Sequence, residues 1–240
     1  MQFIIDNLIA VLVSGVLLMS LQVTQIRSQH ASIEQVVSHS VKAKTIVFGQ
    51  WVEDDILNLG ANFGTNLYRF NEPTLDAATG NARSWTFFSD STFTHDPADP
   101  TVTAANPKTR RIVKRYRLVD TKTATFSDST YQLYELHRDY LELDLDASGV
   151  PEPYTEADWV KSAQSISTLS FFTIDLLDRY GETPRTASGD VDVYKVDYVR
   201  VRFGVIPEYV LKPDNYIREL YWVKTLKVRP YWVPPPSLSS

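Results

Sequence analysis

The fold is decided by the stretch NLIAVLVSGVLLMSLQVTQI, which occupies residues 7–26 and contains no charged side chain. Between Leu8 and Leu21 only two serines and one glycine interrupt the apolar residues. About 20 uncharged residues, each rising about 1.5 Å, make a helix about 30 Å long, which matches the hydrocarbon thickness of a bilayer. The alternative, a buried helix of a soluble protein, would show a polar face over that length. We therefore predict a membrane-embedded helix.

The flanks of this stretch differ from those of a secretory signal peptide, which has a basic N-terminal region and a small-residue cleavage site. Residues 1–6 contain no Lys or Arg, and no Ala-x-Ala-like site follows between Gln22 and His30. The nearest basic residue is Arg27, whereas the positive-inside rule would place basic residues before the helix when the C-terminal domain is translocated. We therefore expect that a short basic leader preceded Met1 and was removed.

The helical pattern continues past the apolar stretch. No proline occurs before residue 73, and Gly60 and Gly64 offer a natural C-terminus. Apolar residues recur mostly at steps of three, four or seven, which is the period of one helical stripe: Ile26, Ile33, Val37, Val41, Phe48, Val52, Ile56, Leu59 and Phe63. We predict one helix of more than 50 residues, apolar over residues 1–26 and amphipathic over residues 27–64.

Beyond residue 65 the pattern indicates strands. Short runs rich in Tyr, Phe, Val and Thr alternate with turn residues, and the candidates are Leu67–Phe70, Ser84–Ser89, Arg111–Val119, Tyr131–Asp146, Ser167–Leu177, Val191–Val205 and Ile217–Arg229. The most regular alternation runs from Val191 to Phe203. Residues Glu72–Arg83 and Asp90–Lys108 read as long surface loops. The predicted fold is therefore α+β, with a mainly antiparallel β domain over residues 65–230 and a Pro/Ser tail over residues 231–240.

Composition restricts the function. The net charge of −5 argues against a nucleic-acid partner. The chain has no cysteine, so disulfides, thiol catalysis and cysteine-bound zinc are excluded. No nucleophile elbow, phosphate loop or dinucleotide-binding glycine pattern is present. The adjacent acids Asp54 and Asp55 lie on the predicted helix, where they nominate no acid–base chemistry. We therefore predict that the protein is not an enzyme.

One acidic segment resembles the start of a calcium loop. Asp144, Asp146 and Ser148 alternate, and Gly149 follows them, as oxygen ligands and a sharp turn require. The closing acid is displaced, because Thr155 stands at its place and Glu156 follows. An acidic turn that leads from a strand toward residues 156–165 explains the segment as well. The sequence thus predicts no cofactor, with calcium as the one metal to consider.

Asp6 stands at the membrane end of the apolar helix. A carboxylate there costs about 2–3 kcal/mol unless it is paired or lies among the headgroups. Two interpretations follow. Asp6 is an interfacial residue, or it pairs with a positive charge from a neighbouring copy of the helix, such as a free N-terminal amine.

Three stretches resemble type IV pilins and the pseudopilins of type II secretion, and are most similar to PilW-like minor pilins and J-type pseudopilins. The first is residues 3–12, an aromatic and aliphatic start with one acid. The second is residues 51–60, where acidic residues precede the aliphatic residues and the glycine that end the helix. The third comprises residues 166–181 and 191–203, which resemble paired strands of the pilin β domain. The family's acid would fall at Ile5 if Met1 is the first mature residue, and at Asp6 if Gln2 is.

The resemblance implies a structural subunit of a pilus-like or pseudopilus filament. Its helix would reside in the inner membrane before assembly and then pack in the filament core, with Asp6 as the amine partner. The implied packing residues are Phe3, Leu8, Val11, Leu12, Leu17, Leu18 and Leu21. Implied partners are copies of itself, other pilin-like subunits, the assembly machinery and a leader peptidase, and implied roles are adhesion or protein secretion at the cell surface or in the periplasm. The alternative is a membrane-anchored binding module or a subunit of an envelope complex.

Overall fold

The computed structural model describes residues 2–60, 69–97, 99–126, 129–146, 149–165, 168–206 and 219–228, without the side chains of residues 2–4, 6, 126 and 129. The chain divides into two compact units, Met1–Ala43 and Lys44–Ser240. The predicted tail, residues 231–240, lies outside the described residues.

Helix α1 spans Gln2–Leu57, which confirms the prediction of one helix longer than 50 residues. The helix is followed by a turn that ends at Gly60, whose φ of +69° is accessible to glycine at little cost. The backbone N–H of Gly60 donates to the carbonyl of Phe88 at 2.9 Å. A glycine stop therefore ends the helix, as the sequence predicts.

The second unit contains one antiparallel sheet of eight strands. The strands are β1 (Thr74–Leu75), β2 (Ala82–Phe93), β3 (Lys108–Phe126), β4 (Ser129–Asp144), β5 (Val160–Gln164), β6 (Thr168–Leu177), β7 (Tyr198–Ile206) and β8 (Leu220–Lys227). Their order in the sheet is β1-β2-β3-β4-β6-β7-β8, and β5 pairs with β4 beside this path. The α+β architecture predicted from the sequence is confirmed.

Two blocks of strands meet at one point of β4. The hairpin of β3 and β4 is long, pairing from Phe126↔Ser129 to Arg110↔Asp144. Strand β6 joins β4 through the pair Tyr134↔Leu169, and β6, β7 and β8 then pair in antiparallel register. Strand β5 pairs with β4 only as far as Tyr140, so the last residues of β4, far from this junction, have no partner in β5.

The core of the second unit forms where the last turns of α1 pack on one face of the sheet. Val52, Ile56 and Leu59 are at most 1% exposed. The ring of Phe48 lies 4.7 Å from that of Phe203, and the ring of Trp51 lies 5.7 Å from that of Tyr116. Each fully buried large apolar side chain contributes about 1.5–3 kcal/mol, so this contact is a main source of stability for the unit.

Three strand predictions need correction. In the predicted strand Val191–Val205, residues Val193–Lys195 form one turn of 3₁₀ helix and β7 begins only at Tyr198. The N–H of Asp192 donates to the carbonyl of Pro184, and that of Lys195 turns back to Asp192, so the segment cannot stay extended. In the predicted strand Leu67–Phe70, residues 67 and 68 lie outside the described part, and Phe70 forms only an isolated bridge with Phe87. The predicted strand Ile217–Arg229 is too long: β8 covers Leu220–Lys227, Glu219 and Val228 lie outside it, and residues 217, 218 and 229 lie outside the described part.

The predicted loops are shorter than expected. Thr74 and Leu75 form β1 inside the first loop, and β2 continues to Phe93 inside the second. The sequence pattern does not predict strand β5. Its side chains are mostly exposed, so it lacks the apolar alternation that marks the other strands.

Candidate functional site

The apolar surface of α1 is the first candidate site. The helical segment Asn7–Leu57 contains a window with mean hydropathy 1.9 in which no side chain is buried. Such a helix is long and apolar enough to cross a membrane, although a signal sequence meets the same criteria. The predicted packing residues with described side chains are all more than half exposed: Leu8, Val11, Leu12, Leu17, Leu18 and Leu21. Phe3 and Asp6 belong to α1, but their side chains lie outside the described part.

These apolar side chains surround the helix. At about 100° per residue, Val11, Leu12 and Leu17 point in directions separated by about 100–140°. Val11 is 73% exposed, Leu12 61% and Leu17 59%. The hydroxyl of Thr24 donates to the carbonyl of Ser20 at 2.8 Å, so this polar group is satisfied inside the helix. The surface therefore suits an apolar medium or several neighbouring helices, rather than a single packing seam.

A buried ionic cluster, which we call the Asp55 cluster, links α1 to β3 and β4. The carboxylate of Asp55, 4% exposed, accepts hydrogen bonds from Nζ of Lys114 at 2.6 Å and from Nη1 of Arg138 at 2.9 Å. The hydroxyl of Tyr116 donates to Oδ2, the oxygen that Arg138 also contacts, at 2.8 Å. Burial, and then the charge of Asp55, raise the pKa of Tyr116 well above its usual value, so the phenol stays a donor.

The Asp55 cluster is suited to holding elements together rather than to catalysis. The carboxylate is engaged by all three donors, and Arg138 also lies 5.0 Å above the ring of Trp51. The neighbouring Asp54 is exposed, since consecutive helical residues point about 100° apart. The two acids therefore do not act as paired carboxylates. Sequence reasoning missed the cluster because its sheet partners are 59 to 83 residues away.

A second ionic group lies on the opposite face of β3 and β4. The carboxylate of Asp139, 1% exposed, accepts from Nη2 of Arg115 at 2.9 Å and also from Arg117. Burial raises the pKa of Asp139, but the hydrogen bonds from Arg117 and Arg115 outweigh burial and lower the pKa below its usual value. Arg115 also pairs with Glu156 and lies 4.2 Å above the ring of Trp159. This group fixes the segment around η1 (Glu156–Asp158) to the sheet.

The predicted calcium segment forms an acidic turn. The carboxylate of Asp144 accepts from Nζ of Lys108 at 2.7 Å and from Nε of Arg110 at 2.8 Å, and these bonds, led by that from Lys108, lower its pKa. Oδ1 of Asp146 accepts from the N–H of Val150, and Gly149 has a φ of +77°. Ser148 lies outside the described residues. Because cations already engage both oxygens of Asp144, the geometry favours the turn, and calcium binding stays a prediction. Among the described residues, no group of three or more His, Asp or Glu is placed to hold a metal ion.

Beside this turn lies an open depression of about 450 Å³, which we call the acidic depression. The residues that line it come mainly from the end of β4 and from the segment before η1. Its charged residues are Arg110, Glu142, Asp144, Glu152 and Asp158, and Tyr154 forms part of its wall. Four carboxylates face the guanidinium of Arg110 and the ammonium of Lys108, which binds Asp144, so a negative excess remains. The depression is thus suited to a cationic surface or group.

Comparison with known protein families, with curated proteins and with solved structures finds no match to this chain.

Proposed function

We propose that the protein is a structural subunit of a pilus-like or pseudopilus filament, whose α1 resides in the membrane before assembly and packs against copies of itself afterwards. The observation that carries the proposal is the apolar, exposed surface on all sides of the front part of α1. In water, each large apolar side chain left exposed forgoes about 1.5–3 kcal/mol. Lipid and a bundle of similar helices both remove that cost.

The apolar surface extends beyond the length that a bilayer needs. About 20 residues cross the hydrocarbon region, and the charged residues Arg27 and Glu34 follow the uncharged stretch. Yet Ile33 and Val36, which lie beyond that stretch, are 45% and 66% exposed. An anchor alone gives these positions no apolar partner. Neighbouring helices in a filament core would cover them, which supports assembly over simple anchoring.

The second unit has the properties of a displayed domain. Its sheet carries its own core, and the Asp55 cluster fixes the end of α1 on it. In the described residues, the ionic groups on β3 and β4 engage their carboxylates in pairs that hold segments of the chain together. We propose a structural role for this unit, with no catalysis.

Cysteine cross-linking tests the proposal, because the chain contains no cysteine of its own. In the Val36→Cys variant, oxidation of sheared cell-surface material should give disulfide-linked dimers, if the helices of neighbouring copies pack together. The matched control is Ala77→Cys, an exposed position in the turn between β1 and β2. Electron microscopy with an antibody to the second unit should label filaments in the same material.

The alternative is a single-pass membrane-anchored binding module or a subunit of an envelope complex. A helix that is able to span a membrane is compatible with this alternative too. In that case Val36→Cys would give no dimer above the level of Ala77→Cys, and no filament would be labelled. That combination of results would refute the filament proposal.

A further inference from the structure

The outer face of β6, β7 and β8 is open and mixes apolar with basic side chains. Tyr221 and Val223 on β8 are 67% and 59% exposed. The ring of Phe171 lies 5.8 Å from that of Tyr221. Between them stands Gly204, which pairs with Tyr221 in the sheet and adds no side chain. Exposed aromatic and aliphatic side chains grouped on one sheet face are typical of a binding surface.

Basic side chains continue this surface along the strands. Arg200 and Arg202, 39% and 42% exposed, both bind the carboxylate of Asp175. Lys227 is exposed at the end of β8. Three cations thus face two carboxylates, Asp175 and Glu219, and Glu219 accepts from the hydroxyl of Tyr221 at 2.5 Å. We call this surface the basic face. It is locally positive although the chain has a net charge of −5.

The acidic depression offers the complementary chemistry on the same unit. Its four carboxylates outnumber the two cations Arg110 and Lys108, and Tyr154, 43% exposed, adds an aromatic wall. The basic face combines arginine and lysine with Tyr221 and Val223. Each surface therefore offers the charge and the apolar groups that the other needs, which is how interfaces select partners.

The two surfaces cannot satisfy each other within one copy. The β6–β8 block meets β4 at Tyr134, whereas the acidic depression lies at Asp144, ten residues further along β4. Ten residues of strand span about 34 Å. Any contact between the two surfaces therefore forms between copies. A nucleic acid is a poor occupant of the basic face, because the net negative charge of the chain repels a polyanion.

We infer that the basic face of one copy binds the acidic depression of a second copy. Two different surfaces meet, so the contact is heterologous and generates an open array rather than a closed dimer, unless its rotation closes a ring. The place of this contact within a filament rests on the proposed function. The contact itself belongs to the second unit and is measured separately from the packing of α1.

Cross-linking between two single-cysteine chains tests the contact in full-length protein. Thr225 is exposed on β8, and Pro153 lines the acidic depression. When Thr225→Cys and Pro153→Cys chains with different epitope tags are co-expressed, oxidation should give a disulfide-linked dimer carrying both tags. Either variant expressed alone should give no such dimer. Ala77→Cys in place of Pro153→Cys is the control for random collision.

Charge exchange tests the chemistry of the contact. Lys227→Glu should lower the yield of the mixed dimer about tenfold, the effect of about 1.4 kcal/mol. Glu152→Lys on the other chain should restore it. The control Lys122→Glu makes the same charge change at an exposed position of β3, away from both surfaces, and should leave the yield unchanged.

The outcomes separate the two proposals. A mixed dimer that responds to the charge exchange supports the contact, whether or not Val36→Cys cross-links. If Val36→Cys cross-links but the mixed dimer does not exceed the Ala77→Cys control, the contact is wrong and the filament proposal stands. A dimer of Thr225→Cys with itself would show an isologous contact and would overturn the inference, as would a mixed dimer insensitive to Lys227→Glu.

Discussion

Replacement of the buried Asp55 by alanine should strongly destabilise the second unit. The substitution removes one carboxylate and leaves Lys114 and Arg138, each with a side chain 22% exposed, without their buried partner. The hydroxyl of Tyr116, a residue 1% exposed, loses its acceptor as well. Breaking a buried pair by removing one partner costs about 3–5 kcal/mol. For a unit of this size, that loss corresponds to a fall in Tm of about 10 °C.

The matched control is Asp54→Ala, the same chemical change at the preceding residue. Asp54 is exposed, so its removal should change the free energy of unfolding by less than about 0.5 kcal/mol. Urea unfolding of full-length protein in detergent, followed by tryptophan fluorescence, measures both variants. Trp51 lies beside the Asp55 cluster and reports on its loss.

A triple variant tests the cause of the destabilisation. In Asp55→Ala with Lys114→Met and Arg138→Met, no uncompensated charge remains, so much of the lost stability should return. If Asp55→Ala and Asp54→Ala destabilise equally, the Asp55 cluster does not hold α1 on the sheet. If the triple variant is no more stable than Asp55→Ala, the cost does not come from the orphaned cations.

Three further predictions concern other parts of the molecule. Gly49→Ala should destabilise by about 1–2 kcal/mol in urea unfolding, because the new Cβ would lie 2.6 Å from Cε2 of Trp222. This overpacking outweighs the roughly 1 kcal/mol gain in helix propensity. Gly15→Ala should not destabilise, because its new Cβ would have no atom within 4 Å apart from the adjoining helix backbone. The pKa of Asp139 is lowered in the folded state, so the stability that Asp139 contributes is complete above its unfolded pKa of about 3.9 and is lost as pH falls through the folded pKa. Thermal unfolding should therefore show a loss of stability below about pH 4, and this loss should be smaller in Asp139→Asn. Leu17→Lys should release the protein from membranes in alkaline extraction, at a cost of about 2.5–3.5 kcal/mol at the centre of a span, whereas Leu17→Ile should not.

The helix could be predicted from the sequence because its evidence is local. Absence of proline, a sustained apolar period and the stop at Gly60 all act within a few residues of the backbone that they shape. The strands with clear alternation, such as β3 and β4, were predicted for the same reason. Near β7 the alternation continues through Val193, but the N–H of Asp197 donates to the carbonyl of Leu177, which is distant in sequence. That contact helps set where β7 begins, and no local pattern contains it.

The candidate site shows the same division. The exposed apolar surface of α1 follows from composition, whereas the distinction between Asp54 and Asp55 depends on which direction of the helix faces the sheet. The basic face and the acidic depression combine residues from separate segments of the chain, Arg202 with Tyr221 and Glu142 with Glu152. The pairing of those segments must be known before either surface is visible.

The Asp55 cluster has a role that apolar packing cannot supply. Val52, Ile56 and Leu59 would pack on an apolar sheet in several rotations of α1, because hydrophobic burial has no preferred direction. A buried carboxylate with three donors has a single arrangement that satisfies it, and any rotation of α1 leaves Lys114, Arg138 or Tyr116 without a partner. The cluster therefore selects one orientation of the helix end on the sheet. In the proposed filament this selection would matter, since a repeated contact between copies requires every copy to present the same surface.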